Sequence, residues 1–573
     1  MSYLNKKLFQ AVGILLIGII FFLVYSFLSF SSWSGSTIKF NSPDETANYY
    51  FARQIALTGN PWYEEPLLDA SKGLVHPRSM TVAGSNVVPV SFLGMVYIYG
   101  GLANFFGVGI LPYLTPFFAV VGVGFFALFL AQFFSRRIAL LSSLLLFIHP
   151  AYWYNASRAM LPNVLFIDIL IIGCALTAVA LKKIYQAKDT SVKPVWWYLC
   201  LILGGLGIGT ALSIRLSESL WVMGVFILVM AYGTLRRYIS IRSGIGVSIG
   251  IAVPLLLLLA TNNHVYGNPM IFGYQTIDFQ PSAVAFEKTV AAGQTRDIGS
   301  FFHWLSSTLT PFIQYILPFG FAPRTFLGQF QDYFAQMFWW TVPFLLLGVG
   351  SFAAQFVRAR SKGFGVQTFY GICVLAVSAW LIIFYGSWTV HDNVAKEVTI
   401  GNSYVRYWLP MFVFSLPFVA YGFFFLASRA SRGFVRSSVL TLCIATYCFF
   451  SFQLVLWQAP EGLFHTVRYL RENFSKLDSV SKSVPASAII ISQRSDKIFF
   501  PEFKVASSFE TFSEAALLPA ILQEATLYYY GFWKPTDAAF VSEKYFKKFG
   551  LDLEYVAQID EKEYLYKVVK SKE

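Results

Sequence analysis

Long apolar runs are the feature that most constrains how this sequence can fold. Runs of about 17 to 25 residues recur from the N-terminus to near residue 458, and a helix of that length crosses the hydrocarbon core of a bilayer. Only 13% of the 573 residues are charged, whereas soluble domains contain about 25%. The sequence therefore predicts an α-helical polytopic membrane protein.

Basic residues set the predicted orientation of the spans. Lysine and arginine concentrate in short linkers between the runs, and those linkers contain a single acid, Asp189. Such a bias marks cytoplasmic loops, so the net charge of +13 reflects topology and argues against a nucleic-acid partner. Placing every basic linker inside gives about eleven spans, with the N-terminus cytoplasmic and the C-terminus outside. The predicted spans are residues 8–31, 112–135, 138–154, 162–181, 196–213, 217–235, 244–261, 335–357, 366–386, 404–427 and 437–458.

Two further apolar stretches do not fit this path. Residues 88–108 and 311–330 are interrupted by Gly or Pro, and crossing at both would export the basic linkers between them. We predict that both are re-entrant or interfacial, as expected of non-helical backbone that lines a protein cavity. The total is then about eleven to thirteen helices, depending on whether these stretches cross.

The predicted chain has two domains. Residues 1–458 form the membrane domain, whose sizeable external loops are 32–88 and 262–310, and residues 459–573 form an extracytoplasmic domain. In this tail, "SVPASAIIISQRSDKIFF" is typical of a strand entering a turn, and "AALLPAILQEATLYYYGF" of a helix followed by a strand. "EKYFKKFGLDLEYVAQIDEKEYLYKVVK" predicts a helix, a Gly turn and a β-hairpin around Asp560 and Glu561. The tail is therefore a small α/β domain after an amphipathic stretch near 461–478.

An acidic pair, Asp44 and Glu45, lies in the first external loop within "FNSPDETANYYFARQIALTGN". One interpretation is structural, because acids after a proline favour the first turn of a helix. The other is chemical, because a carboxylate just outside the membrane can remove a proton from an acceptor hydroxyl. The sequence leaves both open.

Two arginines lie at the external ends of predicted spans. Arg158 is in "NASRAMLPN" and Arg215 in "TALSIRLSES", with Glu218 near it. An arginine close to lipid is paired or contacts an anionic group, and Asp168 is the partner that the sequence suggests for Arg158. The alternative is that both guanidinium groups bind a phosphate, which they can grip through two hydrogen bonds each.

Other polar residues in the external loops are candidates for binding substrate. They occur in "HPRSMTVAGSNVVPV", in "TNNHVYGNPMIFGYQ" between turn-forming elements, and at the outer start of the tenth span. No metal-binding spacing such as HExxH is present, so a metal is not expected, although the histidines leave a divalent cation open. These candidates are His76, Arg78, His264, Tyr266, Tyr274 and Arg406.

Several of these stretches together resemble the GT-C membrane glycosyltransferases, near the branch of protein O-mannosyltransferases and lipid A aminoarabinose transferases. "SPDETANYYFARQIALTGN" is similar to their first external loop, and "YGNPMIFGY" to a loop element of many members. "ASRAMLPN" and "SIRLSES" resemble their arginine elements, "YVRYWLP" the entry to a late span, and "SQRSDKIFFP" their external domains. Each motif is short, but their order and shared predicted side support the resemblance.

The resemblance implies a GT-C fold and transfer of a sugar from a polyprenyl-phosphate donor to a glycan, lipid or protein acceptor at the outer face of the plasma or inner membrane. It implies that Asp44 is the catalytic base and that Glu45 holds sugar or acceptor. It further implies that Arg158, Arg215 and Arg406 hold the donor phosphate, with inversion at the sugar. No cofactor is implied.

The sequence departs from the family in two places. Members often have His- or Lys-Pro-Pro before the next helix, where this chain has a single proline in "HPRSM", and some have Asp where this chain has Asn163. Three other functions stay open: a lipid or solute transporter, a polysaccharide polymerase or ligase, and a non-catalytic scaffold. A transporter predicts ionisable residues buried at mid-membrane, whereas most candidates here lie at the outer edge.

Overall fold

Membrane-length helices dominate the computed structural model, which describes residues 3–187, 195–276, 316–358, 365–390, 397–507 and 513–571. Most of the predicted external loop 262–310 and part of the stretch 311–330 lie outside the described residues. The α-helices of the membrane part are Tyr3–Tyr25, Phe27–Ser31, Pro43–Thr58, Leu68–Ser71, Leu93–Phe106, Leu111–Leu130, Arg136–Ile148, Pro150–Ser157, Pro162–Gln186, Val195–Ile214, Ser219–Leu235, Ile241–Tyr266, Gly273–Thr276, Pro323–Phe330, Thr341–Arg358, Val366–Gly386, Ser403–Tyr407, Leu409–Ser428 and Gly433–Phe452.

Each of the predicted spans coincides with helix. Within the described residues, eight helices are long and apolar enough to cross a membrane, or nine if a bent pair counts as one span. These eight or nine are counted over the described residues alone, whereas the prediction of eleven to thirteen helices concerns the whole chain. One predicted span, 138–154, is divided at His149, where Pro150 starts a new helix.

The two stretches predicted to be re-entrant differ from the regular spans. Leu93–Phe106 is an apolar helix of only 14 residues, too short for a standard span. Beyond residue 322, Pro323–Gln336 and Thr341–Ala354 form a pair bent by 98°, which is either a broken span or a re-entrant loop. Both observations agree with interrupted helices, and the path of each stretch relative to the bilayer stays a prediction.

The acidic pair starts a helix, as the structural interpretation predicts. Ser42 is the N-cap of Pro43–Thr58, its hydroxyl accepts a hydrogen bond from the Glu45 amide, and the Glu45 carboxylate accepts one from the Ser42 amide. This reciprocal capping box satisfies two donors that a helix start would otherwise leave unpaired. The helix therefore begins at a defined residue, which fixes the direction of both acidic side chains.

The C-terminal residues form the predicted α/β structure. The amphipathic stretch is the helix Leu463–Ser481, and a five-stranded sheet follows. Its first three strands in spatial order are parallel, and the predicted hairpin completes the sheet antiparallel. We call residues 489–571, which contain this sheet, the C-terminal sheet domain. The domain boundary between residues 458 and 459 stays a prediction. The strands in spatial order are Lys504–Ser507, Ile489–Ser492, Leu527–Gly531, Glu563–Lys570 and Leu551–Asp560. The α-helices of the domain are Asp496–Phe499, Leu518–Glu524 and Pro535–Val541.

The first loop docks onto this domain. It contains a small antiparallel sheet of Tyr63–Glu64, Asn86–Pro89 and Met80–Ala83, in that order. Lys39 pairs with Glu502 and donates to the Phe500 carbonyl at 2.8 Å. Burial lowers the pKa of the Lys39 ammonium, and Glu502 acts in the opposite direction. The loop and the domain therefore form one body on one end of the helix bundle, which we call the site end.

A close helix contact sets the position of one candidate residue. Gly94, near the start of Leu93–Phe106, lies so close to the Val195–Ile214 helix that a Cβ atom there would be 2.4 Å from the backbone of Ser213. Small residues allow membrane helices to approach in this way. Since Ser213 is two residues before Arg215, this contact helps to place Arg215.

We expect Gly94→Ala to destabilise the protein by about 1 to 3 kcal/mol, because the added methyl group forces two backbones apart. Gly101→Ala in the same helix is the control, since a Cβ at Gly101 meets no atom within 4 Å. Thermal unfolding in detergent should show a lower midpoint for the first variant and an unchanged or higher one for the second. Equal midpoints would contradict the contact.

Candidate active site

The two acids of the pair face different surroundings. Successive helix residues are rotated by about 100°, so the capping box that directs Glu45 inward leaves Asp44 on another side. The Glu45 side chain is buried, whereas 38% of the Asp44 side chain is exposed. Of the two carboxylates, only Asp44 can reach a molecule that enters from the site end.

Glu45 forms a buried ion pair with Arg158. Its oxygens accept hydrogen bonds from Nε of Arg158 at 2.8 Å and from Nη2 at 2.6 Å. The prediction that Asp168 is the partner of Arg158 is wrong, because Asp168 lies deeper in its helix and accepts a hydrogen bond from Tyr152 at 2.6 Å. Of the two interpretations given for Arg158, the structure contains the ion pair, with Glu45 as the partner. The implied contacts of Glu45 with sugar and of Arg158 with phosphate stay predictions.

Asp44 lies between a hydroxyl and a guanidinium group. Ser79 donates a hydrogen bond to its Oδ1 at 2.6 Å, and Nη1 of Arg406 lies 3.7 Å from its Oδ2. The contact between Arg406 and Asp44 is therefore an ion pair, but its length exceeds that of a hydrogen bond. Arg406 also donates to Ser403 at 2.8 Å, and its backbone carbonyl accepts from the Asn163 amide at 3.2 Å. Thus Asn163 holds the segment that carries Arg406.

Arg215 and Arg406 converge on one aromatic ring. The Tyr407 ring centre is 5.1 Å from the guanidinium carbon of Arg215 and 5.3 Å from that of Arg406. Such cation–π contacts stabilise a cation where water is scarce. The structure therefore brings together two of the three arginines that the resemblance assigns to phosphate.

Hydrogen bonds hold one edge of the Arg215 guanidinium group, the edge formed by Nε and Nη2. Its Nε and Nη2 donate to the same oxygen of Glu218, at 3.1 and 2.9 Å, and Nη2 also donates to the Tyr385 hydroxyl at 3.1 Å. Tyr385 in turn donates to Glu218 at 2.6 Å and stacks on Tyr407 with ring centres 4.6 Å apart. Within the described residues, Nη1 of Arg215 makes no hydrogen bond, and this is the group that could bind an anion.

Tyr274 lies close to the same charges. Burial of its hydroxyl raises its pKa most, the carboxylate of Asp44 and the hydroxyl of Tyr407 raise it further, and Arg215 and Arg406 lower it. Its ring contacts that of Phe92, with centres 5.3 Å apart, and 46% of the residue is exposed. The predicted role of Tyr274 toward substrate stays a prediction.

The other predicted binding residues have structural contacts. Arg78 pairs with Asp496 of the C-terminal sheet domain, with Nη2 at 2.7 Å from the carboxylate. The Nδ1 atom of His76 is 2.8 Å from the Pro77 carbonyl, and burial lowers the pKa of this imidazole. His264 is exposed with its ring 4.9 Å from that of Trp62, and Tyr266 donates to the Pro89 carbonyl at 2.8 Å. Their roles toward substrate stay predictions.

A metal site is not apparent in the part of the chain that the structure describes. There, no three His, Cys, Asp or Glu side chains are grouped closely enough to hold an ion.

An apolar cavity of about 530 Å³ is lined by residues of several helices, among them Pro162–Gln186, Ser219–Leu235 and Val366–Gly386. Trp221 lines it and donates a hydrogen bond to Glu218 at 2.6 Å, so one end adjoins the Arg215 pair. The lining runs from Leu170 to Tyr185 along one helix, which is about 22 Å. Exposed Tyr185 lines its far end. The space suits a long hydrocarbon chain.

Sequence analysis missed three residues of the site: Ser79, Tyr385 and Tyr407. Ser79 and Tyr407 lie inside motifs singled out for their arginines, "HPRSM" and "YVRYWLP". Adjacency to a candidate arginine was the available signal for both. Tyr385 lies near the end of an apolar helix, where an aromatic residue is ordinary, and nothing in the sequence distinguishes it.

Solved structures of known enzymes have the same fold. AglB, an oligosaccharyltransferase from Archaeoglobus fulgidus in complex with an inhibitory peptide and a dolichol-phosphate, superposes with a TM-score of 0.54 at 10% identity, covering 92% of this chain and 70% of that chain. ArnT from Cupriavidus metallidurans bound to undecaprenyl phosphate superposes with a TM-score of 0.50 at 12% identity, covering 97% and 98%. No protein-family model and no curated protein sequence matches the chain.

These similarities define the class of fold. The chain is an integral membrane protein with the GT-C fold, the fold of membrane glycosyltransferases, and carries a small C-terminal sheet domain. The fold expected from the sequence is thereby confirmed.

The ion pair of Glu45 and Arg158 yields a stability prediction. We expect Glu45→Gln and Arg158→Gln each to destabilise the protein by about 3 to 5 kcal/mol, because either change leaves a buried group without its partner. The control is Arg468→Gln, which breaks a surface pair with Glu472 and should cost at most about 1 kcal/mol. Thermal unfolding with the double variant Glu45→Gln/Arg158→Gln measures the coupling. Additive effects of the two single changes would contradict a direct interaction.

Proposed function

We propose that this protein is an inverting glycosyltransferase that moves a monosaccharide from a polyprenyl-phosphate carrier to an acceptor at the extracytoplasmic face of the membrane. The observation that carries the proposal is that a partly exposed carboxylate, Asp44, pairs with Arg406, and that Arg406 and Arg215 contact the same ring, Tyr407. An apolar cavity adjoins the Arg215 pair through Trp221. These parts correspond to the base, the phosphate ligand and the space for a lipid tail that such a reaction needs. The known carriers in complex with two proteins of the same fold are polyprenyl phosphates.

In the proposed reaction, Asp44 accepts the proton of an acceptor hydroxyl as its oxygen attacks C1 of the sugar. The new C1–O bond forms while the bond from C1 to the phosphate oxygen breaks, and that electron pair stays on the phosphate. Attack from the side opposite to the leaving group inverts the configuration at C1. The carrier leaves as a polyprenyl phosphate with one more negative charge.

Arg406 and Arg215 would stabilise that developing charge. Preorganised cations act most strongly where charge appears in the transition state. Arg406 is only loosely engaged by Asp44 at 3.7 Å, and Nη1 of Arg215 faces no acceptor within the described part of the chain. Tyr274, which lies within electrostatic range of both arginines, is proposed to contact sugar or phosphate.

The proposed base is tested with Asp44→Asn, which keeps the size of the side chain and an acceptor for Ser79. We expect the rate of transfer to fall about 10²- to 10⁴-fold, because proton removal in the transition state is lost. The assay supplies undecaprenyl-phosphate monosaccharides with a cell-envelope fraction as acceptor and measures undecaprenyl phosphate by mass spectrometry. Asp69→Asn, an exposed acid in the same loop, should keep full activity. Retained activity of Asp44→Asn with normal unfolding would overturn the assignment.

The proposed phosphate ligands are tested by binding. We expect Arg215→Ala and Arg406→Ala to weaken binding of undecaprenyl phosphate about 10- to 100-fold, the equivalent of one or more hydrogen bonds to a charged group. Arg53→Ala is the control, since Arg53 is exposed on the Pro43–Thr58 helix. Native mass spectrometry of the detergent-solubilised protein measures the amount of bound undecaprenyl phosphate, and this measurement requires no acceptor substrate. Equal binding by all three variants would refute the phosphate site.

The proposed sidedness is independent of both tests. A single cysteine at Ser36 in the first loop and one at Lys562 in the C-terminal hairpin, each in a cysteine-free background, should react with a membrane-impermeant maleimide in intact cells. A cysteine at Arg242, in a basic linker, should react only after the membrane is permeabilised. Labelling in the opposite pattern would place the site in the cytoplasm.

A further inference from the structure

We propose that the C-terminal sheet domain positions the carboxylate of Asp44 through Ser79. In this inference, which rests on the proposed function of Asp44, Ser79 and Asp496 are positioning residues, and the domain takes part in orienting the base. Three observations carry it: the anchoring of residues 74–78 on the domain, the backbone conformation of Ser79, and its hydrogen bond to Asp44.

The segment before Ser79 is anchored on the C-terminal sheet domain. Leu74 and Val75 are buried in the same apolar cluster as Ile489 and Ile491 of the central strand. Packing of this kind fixes a loop on a domain, because moving it would expose apolar surface to water. The chain is therefore held on the domain a few residues before it reaches the site.

Arg78 then fixes the chain by charge. Its amide donates to Oδ2 of Asp496 at 2.9 Å and its Nε donates to Oδ1 at 2.7 Å, while Nη2 donates to the Arg494 carbonyl at 2.5 Å. Asp496 is buried. Because one carboxylate binds both the backbone and the side chain of Arg78, it restrains the residue that precedes Ser79.

Ser79 itself has a φ angle of +61°, in the left-handed region that residues other than glycine seldom adopt. Such a conformation persists where its surroundings hold it. On one side it is held by Arg78, and on the other its carbonyl accepts a hydrogen bond from the Val90 amide at 3.3 Å. A serine at this position has a specific use, since its hydroxyl donates to Oδ1 of Asp44 at 2.6 Å.

This hydrogen bond orients the proposed base. With Oδ1 held by Ser79, the second oxygen of Asp44 is directed toward Arg406, where the acceptor and the donor phosphate would meet. A reactive group that is held by a supporting hydrogen bond does not have to find its orientation during each turnover. Loss of the bond should therefore reduce kcat and leave KM nearly unchanged.

The decisive variant is Ser79→Gly. Glycine adopts the left-handed conformation without a steric penalty, so folding should be unchanged or improved, whereas the hydrogen bond to Asp44 is lost. We expect kcat for release of undecaprenyl phosphate to fall about 10-fold, with KM unchanged. Ser79→Asn, which tolerates this conformation and supplies an amide donor, should recover part of the rate. Full activity of Ser79→Gly would overturn the inference.

The part played by the domain is tested with a matched pair of changes from acid to amide. Asp496→Asn weakens the ionic hydrogen bonds to Arg78. Glu65→Gln weakens another contact between the same loop and the domain, the ion pair of Glu65 with Lys504 at 2.6 Å. Only Asp496→Asn should lower kcat, by about 3- to 10-fold, and KM should not change. Equal kcat values for the two variants would remove Asp496 from the proposal.

These results separate the inference from the proposed function. If Asp44→Asn is inactive while Ser79→Gly and Asp496→Asn have the kcat of the unmodified protein, the base stands and the positioning role is refuted. If Asp44→Asn is fully active, the proposed function of Asp44 itself fails. In the double variant Asp44→Asn/Ser79→Gly, the Ser79 change should have no further effect, and an additional loss of rate would contradict action through Asp44.

Discussion

The buried ion pair between Glu45 and Arg158 determines how the site end is arranged. Two hydrogen bonds join the first turn of the Pro43–Thr58 helix to the end of the Pro150–Ser157 helix, and the same carboxylate completes the capping box of its own helix. A charge in this position is too costly to leave unpaired. The rotation of the first helix turn is therefore fixed, and Asp44 is consequently turned toward the open side with Ser79 and Arg406.

The site is assembled from parts of the chain that are far apart in sequence. Asp44 comes from the first loop and Arg215 from the junction of two helices. Arg406 comes from the short helix Ser403–Tyr407, and Tyr274 from the short helix Gly273–Thr276. The ring of Tyr407 lies against the guanidinium groups of both Arg215 and Arg406. The hydroxyl of Tyr385 links Arg215 to its counter-ion Glu218. Cations held in this way stay in place before an anion arrives, so binding requires little rearrangement.

Much of this architecture was predictable from the sequence, because long apolar helices and alternating strands leave strong local patterns. The helix that begins at Pro43 and the hairpin near Asp560 were anticipated. Asp44, Arg215, Tyr274 and Arg406 were among the predicted site residues, and their roles toward substrate stay predictions. Contacts over long sequence distances were not. Arg158 has a partner 113 residues away instead of the nearby Asp168, and no local pattern separates these choices.

Two further features depend on tertiary structure alone. Adjacent acids look equivalent in sequence, and only the ion pair with Arg158 makes Glu45 a buried residue and leaves Asp44 partly exposed. Likewise Ser79 occurs in an unremarkable polar stretch, and its left-handed backbone becomes meaningful once Asp496, more than four hundred residues later, is seen to hold its neighbour.

The apolar cavity has a consequence for how the protein would meet its substrate. Under the proposed function the carrier is a membrane lipid whose tail would occupy this cavity, so its supply would be measured per area of membrane and not per volume of solution. Turnover would then depend on how densely the carrier is distributed in the lipid and on how quickly the spent carrier diffuses away in two dimensions. Other enzymes that draw on the same lipid pool would compete with this protein even though their own acceptors are unrelated.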